Sequence, residues 1–391
     1  MHRLTTALGM PQHRFASIHV VGTNGKSSVT RMTAALLEAH GVSAGACVSP
    51  HASRWSERTL IHGEEIGREE FAGAVERVAQ AAEVVNRGLE EGEAVTQFEA
   101  ATAASFVALA AARVEAGVIE AGLGGRLDAT NTIPSRVTVL TSVGLDHTEW
   151  LGETEAEIAA EKLAVLRDHS TLVLGRVSPE VMSLAERTAR ERGAKLIRAP
   201  EDPGSELRLR APGLFQRRNF ALAMAAAEAF LGELDRERVA AVAATLTIPG
   251  RLERIADDPP TFLDAAHNPD GAAALAEALP EVGGERIVAC LAILADKDAG
   301  AMIRALAPAL DRVLCTEIPA EELAAHGRPG AGSHPAAELA RLCEAAGLTA
   351  EAEPRFDEAL RRARKLAAEA PDGALLVTGS HYVLARARIS P

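Results

Sequence analysis

The sequence predicts an α/β protein of two domains built on parallel sheets, and three observations predict it. Short apolar runs bounded by Gly, Asp or Pro alternate with alanine-rich stretches whose apolar residues recur at helical spacing, the signature of βαβ units. At 391 residues the chain exceeds what one hydrophobic core normally serves. A Pro-Gly step at Pro249-Gly250 interrupts the alternation, which then begins again.

In chain order, Ser17–Val21, Ala44–Val48, Gly117–Ile119, Val137–Ser142 and Thr171–Leu174 read as buried strands. Ser28–Ala39, Glu69–Arg87, Phe98–Arg113 and Glu155–Arg167 read as the helices between and after them, with another near Asn219–Leu231. Strands near Thr261–Leu263, Arg286–Leu291, Arg312–Thr316 and Ala374–Thr378 form the second series. The expected domains are 1–248 and a smaller 249–391. No repeat, heptad pattern or low-complexity tail is present.

Composition narrows the function classes. A formal net charge of −13 argues against a nucleic-acid partner, which needs a basic face. Cys47, Cys290, Cys315 and Cys343 are widely spaced with no C-x-x-C pair, so neither a zinc knuckle nor a disulfide framework is indicated and a reducing cytoplasm fits. The longest apolar run, 100–112, is broken by Thr102 and Ser105 and is too short to span a bilayer, and the start of the chain lacks a basic-then-apolar signal. A cytoplasmic monomer with no membrane partner is the expectation.

The segment His19-Val20-Val21-Gly22-Thr23-Asn24-Gly25-Lys26-Ser27-Ser28 joins an apolar strand to a helix through a Gly-Lys-Ser turn. Glycines let backbone N–H groups converge on an anion, Lys26 reaches outer phosphates, and the helix start directs its positive end at them. The usual phosphate-loop pattern asks for glycine five residues before the Gly-Lys pair, where Val20 stands. ATP is the expected ligand.

In parallel sheets, ligands sit at the carboxyl ends of the strands. Ser49-Pro50-His51, Glu120, Asp146-His147, and Asp264 with His267-Asn268 all fall there. Magnesium beside ATP favours hard oxygen ligands, which suits Ser49 and Glu120. From residue type alone, His147 reads as a hydrogen-bonded packing residue, with Asp146 the alternative metal-side group. The stretch 120–131 is too glycine-rich for helix or strand and reads as a binding loop carrying Arg126 and Asp128. Lys162 reads as an ordinary solvated lysine.

Taken in order, HVVGTNGKSS (19–28), SPH (49–51), ERTLIHGEEI (57–66), TQFE (96–99), EAGLGGRLDATN (120–131), TSVGLDHTEWLGET (141–154), IAAEKLAVL (158–166), GRLER (250–254), DAAHNP (264–269), ADKD (295–298) and GSHY (379–382) closely resemble the folylpolyglutamate synthase and dihydrofolate synthase family of the Mur ligase superfamily. The resemblance implies an ATPase domain of phosphate-loop type, a smaller C-terminal Rossmann-like domain, and an active site in the cleft between them. It implies that a substrate carboxylate attacks the γ-phosphate of ATP and that an amino group, here glutamate's, displaces phosphate from the acyl phosphate.

Position by position, the resemblance implies that Gly22, Thr23, Asn24, Gly25, Lys26, Ser27 and Ser28 form the phosphate loop and that Ser49, Glu120 and His147 hold magnesium. Lys162 matches a lysine that is carbamylated in the family and holds a second magnesium. Asn219, Arg251 and Asp264 match nucleotide contacts, and His267 and Ser380 match the glutamate and acyl-transfer side. Thr96, Phe98 and Glu99, with Arg126, Leu127, Asp128 and Ala129, match the pterin-substrate pocket. Asp296-Lys297-Asp298 matches a supporting motif.

Ser27 stands where the family usually has glycine, and His381 where it usually has leucine. The chain starts about twenty residues before the phosphate loop, where longer members carry a helix and a loop that touches dihydropteroate, and this chain is expected to lack them. Glutamate addition to tetrahydrofolate is therefore expected ahead of the dihydropteroate reaction. A diverged ligase joining another amino acid to another carboxylate fits the same phosphate chemistry. A slow ATP-hydrolysing switch needs only the phosphate loop, and the full set including Lys162 and His267 disfavours it.

Overall fold

The computed structural model describes residues 1–51, 53–284, 286–325 and 330–389. The chain forms two compact units, Met1–Leu209 with Gln216–Leu246, and Arg210–Phe215 with Thr247–Pro391. The fold is of the two-domain α/β type that the alternation predicts.

The first unit carries β1 (Ala16–Val21), β2 (Ala44–Cys47), β3 (Thr59–Ile61), β4 (Glu64–Glu65), β5 (Ala116–Glu120), β6 (Ser135–Leu140), β7 (Thr171–Leu174) and β8 (Lys195–Arg198) in one sheet of order β4-β3-β2-β5-β1-β6-β7-β8. Its helices are α1 (His2–Ala7), α2 (Lys26–Ala39), α3 (Arg68–Asn86), α4 (Gln97–Ala111), α5 (Thr148–Leu151), α6 (Glu155–Leu163), α7 (Pro179–Glu191), α8 (Leu214–Leu231) and α9 (Arg236–Thr245). Central strands are almost wholly buried, as covered parallel strands must be. Phe106 and Leu109 of α4 pack against Cys47 and Ile119, while Ala159 and Leu163 of α6 and Val181 and Ala185 of α7 pack against Val21, Leu140 and Leu172.

The structure adds one edge strand pair and corrects two expectations. The sheet is parallel as expected over β2, β5, β1, β6, β7 and β8, and the added edge strand β3, not read from the sequence, runs antiparallel to β2 and to β4. Between β3 and β4, His62 and Gly63 both take positive φ, 53° and 81°, the twist a two-residue hairpin turn requires. The helix at 155 stops at Leu163 rather than Arg167, whose guanidinium instead donates to the carbonyls of Asn131 and Ile133 as the chain turns into β7. A short helix, α1, does precede β1, and its Leu4 is fully buried in a cluster with Ala74 and Val78 of α3 and Ala103 and Val107 of α4.

The second unit holds β9 (Glu253–Asp257), β10 (Pro260–Leu263), β11 (Arg286–Leu291), β12 (Arg312–Cys315), β13 (Thr349–Ala352) and β14 (Gly373–Thr378), in the order β13-β12-β11-β14-β10-β9. All neighbours are parallel except β9 and β10. Its helices are α10 (Pro269–Ala278), α11 (Ala299–Leu306), α12 (Ala320–Ala325), α13 (Ala336–Ala345), α14 (Phe356–Glu369) and α15 (Tyr382–Ile389). Alternate residues of β11 divide between two cores. Ile287, Ala289 and Leu291 meet α10, α11 and α13, whereas Val288 and Cys290 meet α14 and α15. All four cysteines are buried and free. Among the described residues, no helix is long and apolar enough to cross a membrane.

The helix that carries Lys162 begins with a capping box. Thr154 Oγ1 accepts from the Glu157 amide at 3.2 Å, and the Glu157 carboxylate accepts from the Thr154 amide at 3.1 Å. Thr154→Ala is expected to lower stability by about 1 kcal/mol, read as a lower midpoint in urea unfolding at unchanged slope.

Candidate active site

The strand order β2-β5-β1-β6 lays four carboxyl ends side by side, with Glu120 ending β5 and Ser49, Gly22 and Ser142 just beyond β2, β1 and β6. β1 and β5 run in register, with Val20 opposite Glu120. The polar residues just beyond these ends become neighbours because the strands are parallel.

The turn 22–28 approaches neighbouring side chains so closely, at positive φ, that glycine is required twice. At Gly22, with φ 152°, a Cβ would lie 1.9 Å from Thr141 Oγ1; at Gly25, with φ 85°, it would lie 2.5 Å from Asn219 Oδ1. Asn219 of α8 is thereby placed against the turn. Beyond β6, Thr141 Oγ1 donates to the Asn24 carbonyl at 2.6 Å, and the Asn24 amide donates to Ser142 Oγ at 3.0 Å. The Thr23 amide donates to the Ser142 carbonyl at 2.9 Å, and the Gly144 amide to Thr23 Oγ1 at 3.1 Å. Thr141 and Ser142 are site residues that the sequence reading missed. The signal was a Thr-Ser pair just past the end of β6, which resembles ordinary strand termination.

Glu120 is buried and ties three segments together. Its carboxylate accepts from the Ser49 amide at 3.0 Å and from Ser27 Oγ at 2.9 Å, while Ser27 Oγ also lies 3.3 Å from the Ser49 carbonyl oxygen. Ser27 therefore links the turn directly to Glu120. Ser28 Oγ is buried without a hydrogen-bond partner among the described residues.

Lys26 and Lys162 both donate to the Gly22 carbonyl, each at 3.0 Å, and Lys26 also donates to the Thr23 carbonyl at 3.0 Å. Lys162 is only 3% exposed, which corrects its reading as a solvated surface residue. Burial first, and the Lys26 ammonium second, bring its amine down to about 7. Asp146 and Asp128 act in the opposite sense, and the net shift favours the uncharged amine relative to an exposed lysine.

His147 stands at the start of α5 in a left-handed conformation, with Nε2 3.9 Å from Asp146 Oδ1. Among the described residues, no three His, Cys, Asp or Glu side chains form a metal-binding cluster. A cation here would rest on hydroxyls, one carboxylate and ligands beyond that set, a hard-oxygen environment.

The loop after β5 is fastened from within by Asp128. Its carboxylate accepts from the Leu123 amide at 2.8 Å and the Thr130 amide at 2.9 Å, so Asp128 acts here as a brace. Arg126 donates to Glu161 at 2.8 Å, and Leu127 is 91% exposed, whereas Ala129 is buried. Phe98 lies beneath the loop, where a Cβ on Gly122 would come within 2.3 Å of its ring. Thr96 and Glu99 form the capping box of α4, and Glu99 also pairs with the amino terminus.

In the second unit, Asp264 is buried and accepts from the Leu252 amide at 2.9 Å and the Ala266 amide at 2.8 Å. Burial raises its carboxyl above the usual range, and the field of Arg251 opposes that. His267 Nδ1 donates to the Ala265 carbonyl at 2.9 Å, and its ring lies 4.9 Å from that of His381. Ser380 is buried, its Oγ accepting from the Tyr382 amide at 3.3 Å. Asp298 caps α11, and Lys297 Nζ lies 4.0 Å from Asp296 Oδ2.

The depressed Lys162 amine fixes a sign. From the folded value near 7 up to the unfolded value of 10.5, the unfolded chain holds one more proton, so this residue's cost fades as pH rises through that window. In degassed buffer, the stability advantage of Lys162→Met over the parent should shrink between pH 6 and pH 9, by up to about 1.4 kcal/mol per pH unit above 7. Urea unfolding at the two pH values checks this, and a pH-independent difference would contradict it.

Comparison with known proteins places these residues in a family. The Mur ligase middle domain matches residues 20–196, and the Mur ligase glutamate ligase domain matches 250–381. A dihydrofolate synthase/folylpolyglutamate synthase from Mycobacterium tuberculosis is 36% identical over 80% of this chain and 72% of its own length. The structure of Mycobacterium tuberculosis folylpolyglutamate synthase complexed with ADP superposes with a TM-score of 0.89 at 33% identity, over 99% of this chain and 92% of that one. A bifunctional folylpolyglutamate synthase/dihydrofolate synthase with Mn, AMPPNP and L-glutamate bound gives a TM-score of 0.82 at 27% identity, covering 98% and 92%. Sequence likeness along most of the chain and a shared fold agree: this chain belongs to the folylpolyglutamate synthase/dihydrofolate synthase family of ATP-dependent Mur ligases.

Proposed function

We propose that this chain joins L-glutamate to the carboxylate of a folate at the expense of ATP, with tetrahydrofolate as principal acceptor and dihydropteroate as a second one. The observation that carries the reading is the convergence of Lys26 and Lys162 on the Gly22 carbonyl, beside a buried Glu120 that holds Ser27 and Ser49. A bare switch needs the turn alone. Two lysines on one oxygen call for anionic ligands or a modification, and both belong to this ligase chemistry.

In the reaction, the acceptor carboxylate attacks the γ-phosphorus of ATP and ADP leaves. The glutamate amine then attacks the acyl carbon, loses a proton and expels phosphate. The turn 22–28 is shaped to receive phosphate oxygens, with Gly22 and Gly25 admitting close approach and Lys26 offsetting the charge of phosphoryl transfer. The Ser28 hydroxyl, without a hydrogen-bond partner among the described residues, and the oxygens of Ser49 and Glu120 suit magnesium, which Ser49 and Glu120 would hold with the His147 imidazole as a nitrogen ligand. When bound, the cation neutralises phosphate charge and polarises the transferring group.

Lys162 is suited to carbamylation: its neutral amine adds carbon dioxide and releases a proton, giving an anionic carbamate next to Lys26. That turns the repulsive pair into an attractive one and supplies a carboxylate for a second magnesium. Asn219, Arg251 and Asp264 are assigned to the nucleotide, and His267 and Ser380 to glutamate. Thr96, Phe98, Glu99, Arg126, Leu127, Asp128 and Ala129 are assigned to the acceptor pocket, Asp128 by bracing its wall.

ADP release measured with each substrate omitted in turn tests the reading. Turnover is expected only when ATP, tetrahydrofolate and glutamate are all present; release with ATP alone would favour a switch, and none with any folate would favour a ligase for another carboxylate. Glu120→Gln should cut turnover by at least about a hundredfold. Lys162→Ala should be similarly impaired and regain part of its activity with added short carboxylic acids, and unchanged activity would reject the carbamate.

A further inference from the structure

We propose that His19 is a positioning residue for the acceptor pocket: as its Nε2–H tautomer it donates to Thr130, which donates to Asp128, and this one-way chain of hydrogen bonds fixes the loop 121–131. The role assigned to the loop rests on the function proposed above, whereas the hydrogen-bond chain stands on geometry.

His19 lies in β1 between β5 and β6, opposite Ile119 on one side and Thr138 on the other, and is fully buried. An imidazole in the middle of an apolar strand needs a reason. Its Nε2 is 2.8 Å from Thr130 Oγ1, and that hydroxyl donates to Asp128 Oδ1. A hydroxyl has one proton, and an ionised carboxylate only accepts. With the Thr130 proton committed to Asp128, the hydrogen between His19 and Thr130 must come from Nε2. Nδ1 is then the lone-pair nitrogen, and it is the ring atom buried without a hydrogen-bond partner among the described residues. The charged ring would place an unsatisfied N–H there instead. Burial first and the field of Arg167 second push the imidazole down to about 3, in agreement with a permanently neutral ring.

The chain ends on the residue that organises the loop. Asp128 gathers the Leu123 and Thr130 amides, closing the segment around Leu127. Outside this core, Gly125 sits so close to α6 that a Cβ would fall 2.6 Å from the Glu161 carbonyl, and the Arg126 amide donates to that carbonyl at 3.0 Å. The exposed Leu127 is thus held out between fixed neighbours. The same strand that leads into Gly22 fixes the loop, so phosphate turn and pocket wall share one support.

Chain length supplies the test. Glutamine can place an amide N–H near the Nε2 position, asparagine only near Nδ1, and leucine neither. His19→Gln should keep the acceptor KM within about threefold of the parent. His19→Asn and His19→Leu should raise it about tenfold or more, with the KM for ATP changed much less, worth about 1.4 kcal/mol per tenfold. Circular dichroism of each variant establishes folding. Equal behaviour of the Gln and Asn variants would overturn the proposal. If no variant folds, or if the parent shows no ligase activity, nitrogen NMR of the histidine-labelled parent still decides: an Nε2–H ring supports the relay, and an Nδ1–H ring rejects it.

Discussion

Two lysine side chains donate to one carbonyl oxygen, that of Gly22, and the site is arranged around the conflict this creates. Burial strips water from the Lys162 amine beside the Lys26 ammonium, so a neutral Lys162 relieves the repulsion between them, with Asp146 and Asp128 acting in the opposite sense. Lys162, almost fully enclosed, is the one that yields.

Topology brings the conflict about. β1 has β5 and β6 as neighbours and β2 lies beyond β5, so segments distant in sequence deliver Ser49, Glu120, Gly22 and Ser142 to one edge. Ser27 fastens the turn to Glu120, and Thr141 and Ser142 fasten it to β6. α6, started by Thr154 and Glu157, carries Lys162 to Gly22 from the opposite direction in the chain. A rigid frame of this kind keeps the two lysine amines on one carbonyl oxygen.

Much of this was legible in the sequence, for a physical reason. Fully buried parallel strands are written as unbroken apolar runs, so Thr171–Leu174 and Arg286–Leu291 match their structural bounds, and strand-end residues such as Ser49 and Glu120 follow from them. Edge strands were not legible. β4, β8 and β13 are short and partly exposed, and Glu64–Glu65 or Lys195–Arg198 carry too little alternation to stand out from loop. The antiparallel pairing of β3 needed the His62-Gly63 turn to be recognised. Buried polar residues were hardest: His19 was read only as part of the strand leading into the phosphate turn, and Lys162 as a solvated lysine on a helix. What marks both is burial with a specific partner, which appears only when distant segments meet.

The central claim is that the Lys162 amine is driven to neutrality and is ready to become an anion. Carbon-13 NMR of the protein in ¹³C-bicarbonate buffer tests it most directly. The account predicts a carbamate resonance that vanishes in Lys162→Met. No such resonance, or one that persists in that variant, would contradict it.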